Sequence, residues 1–217
     1  MDAPMIASTP DERGQHRGRA LDATRDDALR DATLALLAEI GYDRLTIDSI
    51  AARAHSSKAT IYRRWPGKAE LVVDALTSLK GAPLVPDTGS LRGDLEAIGQ
   101  GSSSADNQFD AQLMMGLITA LARDAELRQV FRERLIDPHA AILTRVFKQA
   151  MMRGEMDKGR NLELLVSLYP ALMLQHLLKF GEIPGAHFAQ QVIDDVIMPL
   201  ATAPSDPADR TPSRTAT

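Results

Sequence analysis

With 217 residues, a formal net charge of −4, 44% apolar residues and one quarter charged, the chain has the balance of a globular protein that can fill a sizeable core in one medium domain or two small ones. It contains no cysteine, which excludes a disulfide framework, a thiolate nucleophile and a cysteine zinc site and fits a reducing compartment. The first twenty residues lack the apolar centre of a secretory leader, and the longest uncharged run, residues 164–178, includes Gln175 and His176 and falls short of the roughly 18 to 20 residues that cross a bilayer. A cytoplasmic chain without a membrane partner is expected.

Residues 1–20 are polar and carry Pro4, Pro10, Gly14 and Gly18, while 201–217 are rich in Pro, Ser, Thr and Ala; both ends are expected to be disordered. A first helix is predicted over 24–40, where Leu29, Ala32, Thr33, Leu36, Leu37 and Ile40 recur at helical spacing and Gly41 stands where a left-handed residue ends a helix. Ahead of it, Arg13, Arg17 and Arg19 could form a minor-groove arm, although Asp2, Asp11 and Glu12 cancel their charge. Thr46 is an N-cap for a short second helix with Asp48 in its first turn and Ile47, Ile50 and Ala51 on one face. After a break at His55 and Ser56, Ser57 caps a third short helix through Trp65, which Pro66 and Gly67 stop. Two helices of about two turns joined by a short turn form a helix-turn-helix pattern.

A fourth helix begins near Lys68 and points Leu71, Val72, Ala75, Leu76 and Leu79 inward; GAPLVPDTGS, 81–90, then reads as a linker. Beyond it, helices are predicted over 91–98, 111–122, 124–152, 161–180 and 186–198, with Pro138 and Pro170 expected to bend or break theirs. No alternating run is long enough for a strand. The expected fold is all-α: a disordered arm (1–20), a three-helix helix-turn-helix domain (21–80), a second helical domain (81–200) and a disordered tail (201–217).

From Arg53 to Lys68 the chain holds five Lys or Arg and no acid, whereas residues 81–217 are net −4. A local excess of cations in an acidic chain suits a surface for phosphates; a solvated helix face is the competing reading. Ser57, Lys58, Ala59 and Thr60 are small or flexible, so the start of the third helix can approach base edges in the major groove. Tyr62 can place its hydroxyl on a phosphate or be a core residue, and Lys68 stands at the start of the next helix, where an anion is favoured.

The stretch 31–76, DATLALLAEIGYDRLTIDSIAARAHSSKATIYRRWPGKAELVVDAL, resembles the DNA-binding domain of the tetracycline-repressor family of bacterial transcription regulators. The resemblance implies phosphate contacts for Thr46, Tyr62 and Lys68, groove contacts for Lys58, Ala59 and Thr60 beside the cap Ser57, and edge contacts for Arg63 and Arg64. Trp65 takes the family's aromatic packing position. His55 replaces the glycine usual in the turn and Ser56 a small apolar residue; histidine tolerates left-handed backbone better than most side chains.

The remaining helices fit the family's ligand-binding and dimerisation domain. For Met114, Ile118, Phe131, His139, Phe147, Met173 and His176, plain core is one reading; the resemblance implies a second, a pocket for an apolar effector. The helices over 161–180 and 186–198 carry more apolar residues than one buried stripe needs, so a second copy is expected to cover Leu165, Leu168, Leu172, Phe188, Val192, Ile193 and Val196. The implied function is a homodimeric repressor of a palindromic operator in double-stranded DNA, released by a small molecule. An activator, a regulator without effector and an all-helical enzyme are the alternatives. GQGSSS, 99–104, lacks the third glycine and preceding strand of a dinucleotide site, and the five histidines never fall three or four apart as helix-borne metal ligands do. No catalytic residue, metal or cofactor is expected.

Overall fold

A computed structural model describes residues 12–79, 84–100 and 107–203, with side chains described from Thr24 onward except at 100, 107–110 and 112. Among the described residues every regular element is a helix. Helix α1, Glu12–Arg44, is interrupted at Gly41, whose φ of 75° ends the regular helix where the sequence places a left-handed residue. It begins twelve positions before the predicted start at 24, so residues 12–20 are helical although disorder is expected for them; residues 1–11 and 204–217 lie outside the described residues. Then follow α2 (Ile47–Arg53), α3 (Lys58–Tyr62) and α4 (Lys68–Ser78). Leu79, expected to point inward, is 51% exposed because α4 stops one residue before it.

Past residue 90 come α5 (Leu91–Gln100), α6 (Asn107–Arg123), α7 (Ala125–Phe131), α8 (Asp137–Arg153), α9 (Leu162–Phe180), α10 (Ala186–Gln191) and α11 (Met198–Thr202). Of the bend or break expected at the prolines, no break occurs. Pro138 does not break the long helix: a π-helical turn, Arg132–Ile136, links α7 to α8 immediately before it. A proline removes one N–H bond and crowds the carbonyl four residues back, and widening the turn ahead of it relieves both. A second π segment, Val192–Ile197, precedes Pro199 in the same way. Helix α9 runs through Pro170 without ending.

Two apolar clusters form. The first joins Leu29, Leu37, Leu45, Ile50, Ile61, Trp65, Leu71, Val72 and Leu76 from α1–α4 to Leu113, Leu117, Leu127 and Leu135 from beyond the linker. The second gathers Leu91, Leu95, Val146, Phe147, Leu165, Ile193 and Ile197. Next to it lies a charged network. Asp94 is fully buried; its Oδ1 accepts from the Thr88 backbone N–H at 2.6 Å and hydroxyl at 2.8 Å, and its Oδ2 from Arg153 at 2.9 Å. Arg153 also donates to Glu155 at 2.5 Å, whose other oxygen accepts the Leu91 N–H at 2.7 Å. Burial alone would push both carboxyls up, but the Thr88 donors and Arg153 hold Asp94, and Leu91 N–H and Arg153 hold Glu155, below the usual range. The end of the linker is thereby tied to the start of α5 and the end of α8.

Candidate nucleic-acid interface

The helix-turn-helix is built from local hydrogen bonds that its sequence specifies. Thr46 Oγ1 accepts the Ser49 N–H at 3.1 Å while Ser49 Oγ accepts the Thr46 N–H at 3.1 Å, a reciprocal capping box that starts α2. Helix α2 ends in a Schellman motif: Ser56 N–H donates to the Ala51 carbonyl at 2.8 Å, His55 N–H to that of Ala52 at 3.3 Å, and His55 takes φ 48°. Glycine adopts that geometry without the steric cost of a side chain. His55→Gly should therefore raise stability by about 0.5 to 1 kcal/mol in urea denaturation, with the fold unchanged.

Ser57 opens α3, accepting the Thr60 N–H at 3.1 Å. Two anchors orient that helix from below: Ile61 is fully buried, and Trp65 is buried with its indole N–H on Asp74 Oδ2 at 3.0 Å. The same oxygen accepts Arg30 Nε at 2.8 Å. With Ile61 and Trp65 turned inward, Ser57, Lys58, Ala59, Tyr62, Arg63 and Arg64 are outward and exposed, and Thr60 is half-buried. Tyr62 at 54% exposure is not a core tyrosine. Thr46 is exposed at the start of α2.

The basic stretch is less bare than its local composition suggests. Lys58 Nζ is 2.5 Å from Asp48 Oδ1, Arg53 is 2.5 Å from Glu39, and Arg64 is 2.9 Å from the buried carboxylate of Asp26. Lys68 donates to the Tyr42 carbonyl at 3.0 Å and lies 3.9 Å from the centre of the Tyr42 ring. Burial, followed by the charge and hydrogen bond of Asp124, pushes the Tyr42 hydroxyl up, so the ring stays neutral beneath that cation. Lys68 thus fastens the end of α1 to the start of α4. The compensating acids come from α1 and α2, ten or more residues away, where a window from Arg53 to Lys68 does not see them.

The seven residues expected to line a pocket are not brought together. Met114 and Phe131 pack on the first cluster, Phe147 is filled core of the second, and Met173 packs against that second cluster. Ile118 is half-buried. His139 Nδ1 bonds the Leu135 carbonyl at 2.6 Å, and the His176 ring lies 4.6 Å and 4.4 Å from those of Phe180 and Phe188. Two open depressions lie elsewhere, one of about 240 Å³ between residues 40–44 and Gly116, Thr119 and Ala120, the other of about 260 Å³ along Ala125, Arg128, Gln129 and Arg132.

The expected dimer surface needs correction. Leu165, Val192 and Ile193 are buried by the chain's own core, and Leu168, Leu172 and Phe188 pack against the same cluster; Val196 is half-buried. Surplus apolar residues on a helix divide between its two faces, and the outward share of α9 is Leu164, Leu174 and Leu178, with Phe180 at its end. No helix among the described residues is long and apolar enough to cross a membrane, and no group of His, Asp or Glu among them could hold a metal ion.

Comparison with known proteins agrees with this architecture. Residues 29–75 match the family model for bacterial regulatory proteins of the tetR family, and residues 85–196 that for the tetracyclin repressor-like C-terminal domain. An HTH-type transcriptional regulator of Mycobacterium tuberculosis is 35% identical over 179 residues, covering 82% of this chain and 88% of that protein. The DNA-binding transcriptional repressor TetR of Mycobacteroides abscessus is also 35% identical over 179 residues, covering 82% and 94%. A TetR-family regulator structure from Rhodococcus sp. superposes with a TM-score of 0.64 at 17% identity, covering 81% of this chain and 99% of that one.

Proposed function

We propose that this chain, which belongs to the tetracycline-repressor family of bacterial transcription regulators, is a homodimeric repressor that reads a palindromic operator with α3 and is released by a small apolar or amphipathic effector. The observation that carries the reading is the presentation of α3. Ile61 and Trp65 are sunk in the core while Ser57, Lys58, Ala59 and Tyr62 are offered to solvent along a short capped helix, the arrangement a recognition helix needs to enter a major groove. Thr46 and Tyr62 supply phosphate contacts, Lys58, Ala59 and Thr60 groove contacts, Arg63 and Arg64 the edge; Lys68 braces the site and turns its remaining donors to phosphate. Residues 21–80 form the DNA-reading domain and 81–200 the regulatory domain.

Two copies related by a two-fold axis place their α3 helices in successive major grooves, about 34 Å apart. An effector that binds better to a copy with another spacing lowers DNA affinity by that difference, commonly about 1 to 3 kcal/mol. The test is selection of duplexes from a random pool, followed by binding over a salt series. Tyr62→Phe should weaken binding to every sequence alike, by about threefold to tenfold, because it removes a phosphate contact. Lys58→Ala should instead relax the preference at one position of each half-site. Identical sequence profiles and salt slopes for the two variants would contradict this division of roles.

A second reading, a regulator whose C-terminal helices only dimerise, is favoured by the second core, in which Phe147, Leu165, Val192 and Ile193 are buried against one another. A compound library scored by the rise in unfolding temperature separates the two, since a ligand of the native state raises it.

A further inference from the structure

Asp48 is the second residue of α2, a place where an acid suits the helix dipole and needs no further explanation. Its Oδ1, however, lies 2.5 Å from the ammonium of Lys58, the first residue of α3, so the pair bridges the first turns of both helices. Both side chains are open to solvent, Lys58 at 59% and Asp48 at 64% exposure. An exposed pair contributes little to stability, about 0 to 1 kcal/mol. Its significance is therefore in what the surface meets. If Lys58 enters the groove, the carboxylate touching it enters as well.

A carboxylate brought up to DNA is repelled by phosphates, and a lysine already neutralised gives up its partner before it can replace a counterion. Docking on the backbone alone is thus penalised. At a base edge the carboxylate can be an asset, because it accepts hydrogen bonds from amino groups. Across the major groove a G·C pair presents guanine N7 and O6 as adjacent acceptors and then the cytosine N4 amino group as a donor. An ammonium with three donors fits the two acceptors, and the carboxylate beside it fits the amino group. Adenine offers the ammonium only N7 before its own amino group intervenes, so an A·T pair keeps a donor for the carboxylate but loses the second of the ammonium's two acceptors.

We propose that Asp48 is a specificity-determining residue, its carboxylate and the Lys58 ammonium together reading one G·C pair in each half-site while the carboxylate suppresses binding to phosphates alone. The inference rests on the assignment of α3 as the recognition helix.

The test uses the full-length chain as wild type, Asp48→Asn, Lys58→Ala and the double variant, first in selection from a random duplex pool. Each is then titrated by fluorescence anisotropy against the selected duplex, the same duplex with the assigned G·C pair changed to A·T, and a scrambled duplex, over a salt series. Wild type should select an invariant G·C pair and lose about tenfold in affinity when it is changed. Asp48→Asn should erase most of that tenfold difference, bind the scrambled duplex about two- to fivefold tighter, and show a salt slope steeper by about one, as one more lysine engages a phosphate. In the Lys58→Ala background Asp48→Asn should leave the salt slope unchanged, because no lysine is released to a phosphate. Asp48→Ser, with the same three readouts, stands in if the asparagine variant melts differently from wild type.

The proposal is overturned if Asp48→Asn matches wild type in preference and slope, if it weakens operator and scrambled duplex equally, or if the steeper slope persists without Lys58. A wild-type chain that enriches no sequence overturns the recognition-helix assignment itself. Enrichment with no change on Asp48→Asn overturns only the role of Asp48.

Discussion

Replacing Leu174 and Leu178 together by aspartate should give a folded monomer that no longer holds an operator. Both side chains are 43% or more exposed on α9, on the outward face that also carries Leu164, so a charge there meets water in the free chain and costs the fold little. In the proposed dimer the same face is covered, and two buried carboxylates per copy would each cost several kcal/mol. A monomer keeps one recognition helix and half of the phosphate contacts, and its operator affinity should fall by at least about a hundredfold. Sedimentation and circular dichroism on the same sample decide the matter: a monomer with unchanged helicity and lost operator binding is expected, and a stable dimer at micromolar concentration would contradict it. Ile193→Asp makes the contrasting case. At 2% exposure Ile193 belongs to the chain's own core, so that variant should unfold the second cluster and not merely separate two copies.

The second large effect is expected at Asp94. Asp94→Asn keeps the shape but removes the buried charge that Arg153 meets, leaving that guanidinium to Glu155 and Asp87, and should cost about 1 to 3 kcal/mol at neutral pH, a sizeable share of the ~5 to 15 kcal/mol that usually separates folded from unfolded chains. The pH dependence has a definite sign. A carboxyl held below its usual range contributes stability that is fully present above the unfolded pKa, near 4, and that disappears as pH falls through the lower folded value. Wild type should therefore lose stability more steeply than Asp94→Asn as pH drops below about 4. Urea midpoints along a pH series check this, and parallel curves for the two proteins would show that Asp94 is not ionised in the fold.

What could be read from the sequence, and what could not, follows the range of the interactions. Thr46, Ser57, Gly41 and His55 bond residues three to five positions away or set a single backbone angle, so the end of α1 and the starts of α2 and α3 follow from their order in the chain. Tyr62 and Ile61 part to opposite sides because a helix separates neighbouring residues by about 100°. The fate of the cations depends on contacts between elements: Glu39 reaches Arg53 and Asp26 reaches Arg64 only once α1 lies against α2 and α3. Leu165 and Ile193 read as surface for a partner, because an apolar side chain carries no mark of whether its own chain or another will bury it. The seven residues expected to line a pocket are spread out for the same reason, since Phe131 and Phe147 share a residue type and a helical setting yet pack into different clusters. The two π turns leave no mark in the sequence, because a proline signals crowding without saying how the backbone relieves it.

The first apolar cluster sets where such a chain can be cut. Leu113, Leu117 and Leu127, carried by α6 and α7, close the same interior as Leu29, Leu45 and Leu71, so a fragment ending at the linker would leave that interior facing water. A hybrid that exchanges the reading head between two relatives keeps its interior whole only if α6 and α7 travel with the first four helices, or if the residues meeting them are matched in shape. Substitutions are constrained likewise: a change of volume at Leu113, Leu117 or Leu127 is felt by the side chains of Leu29, Leu45 and Leu71 across the linker.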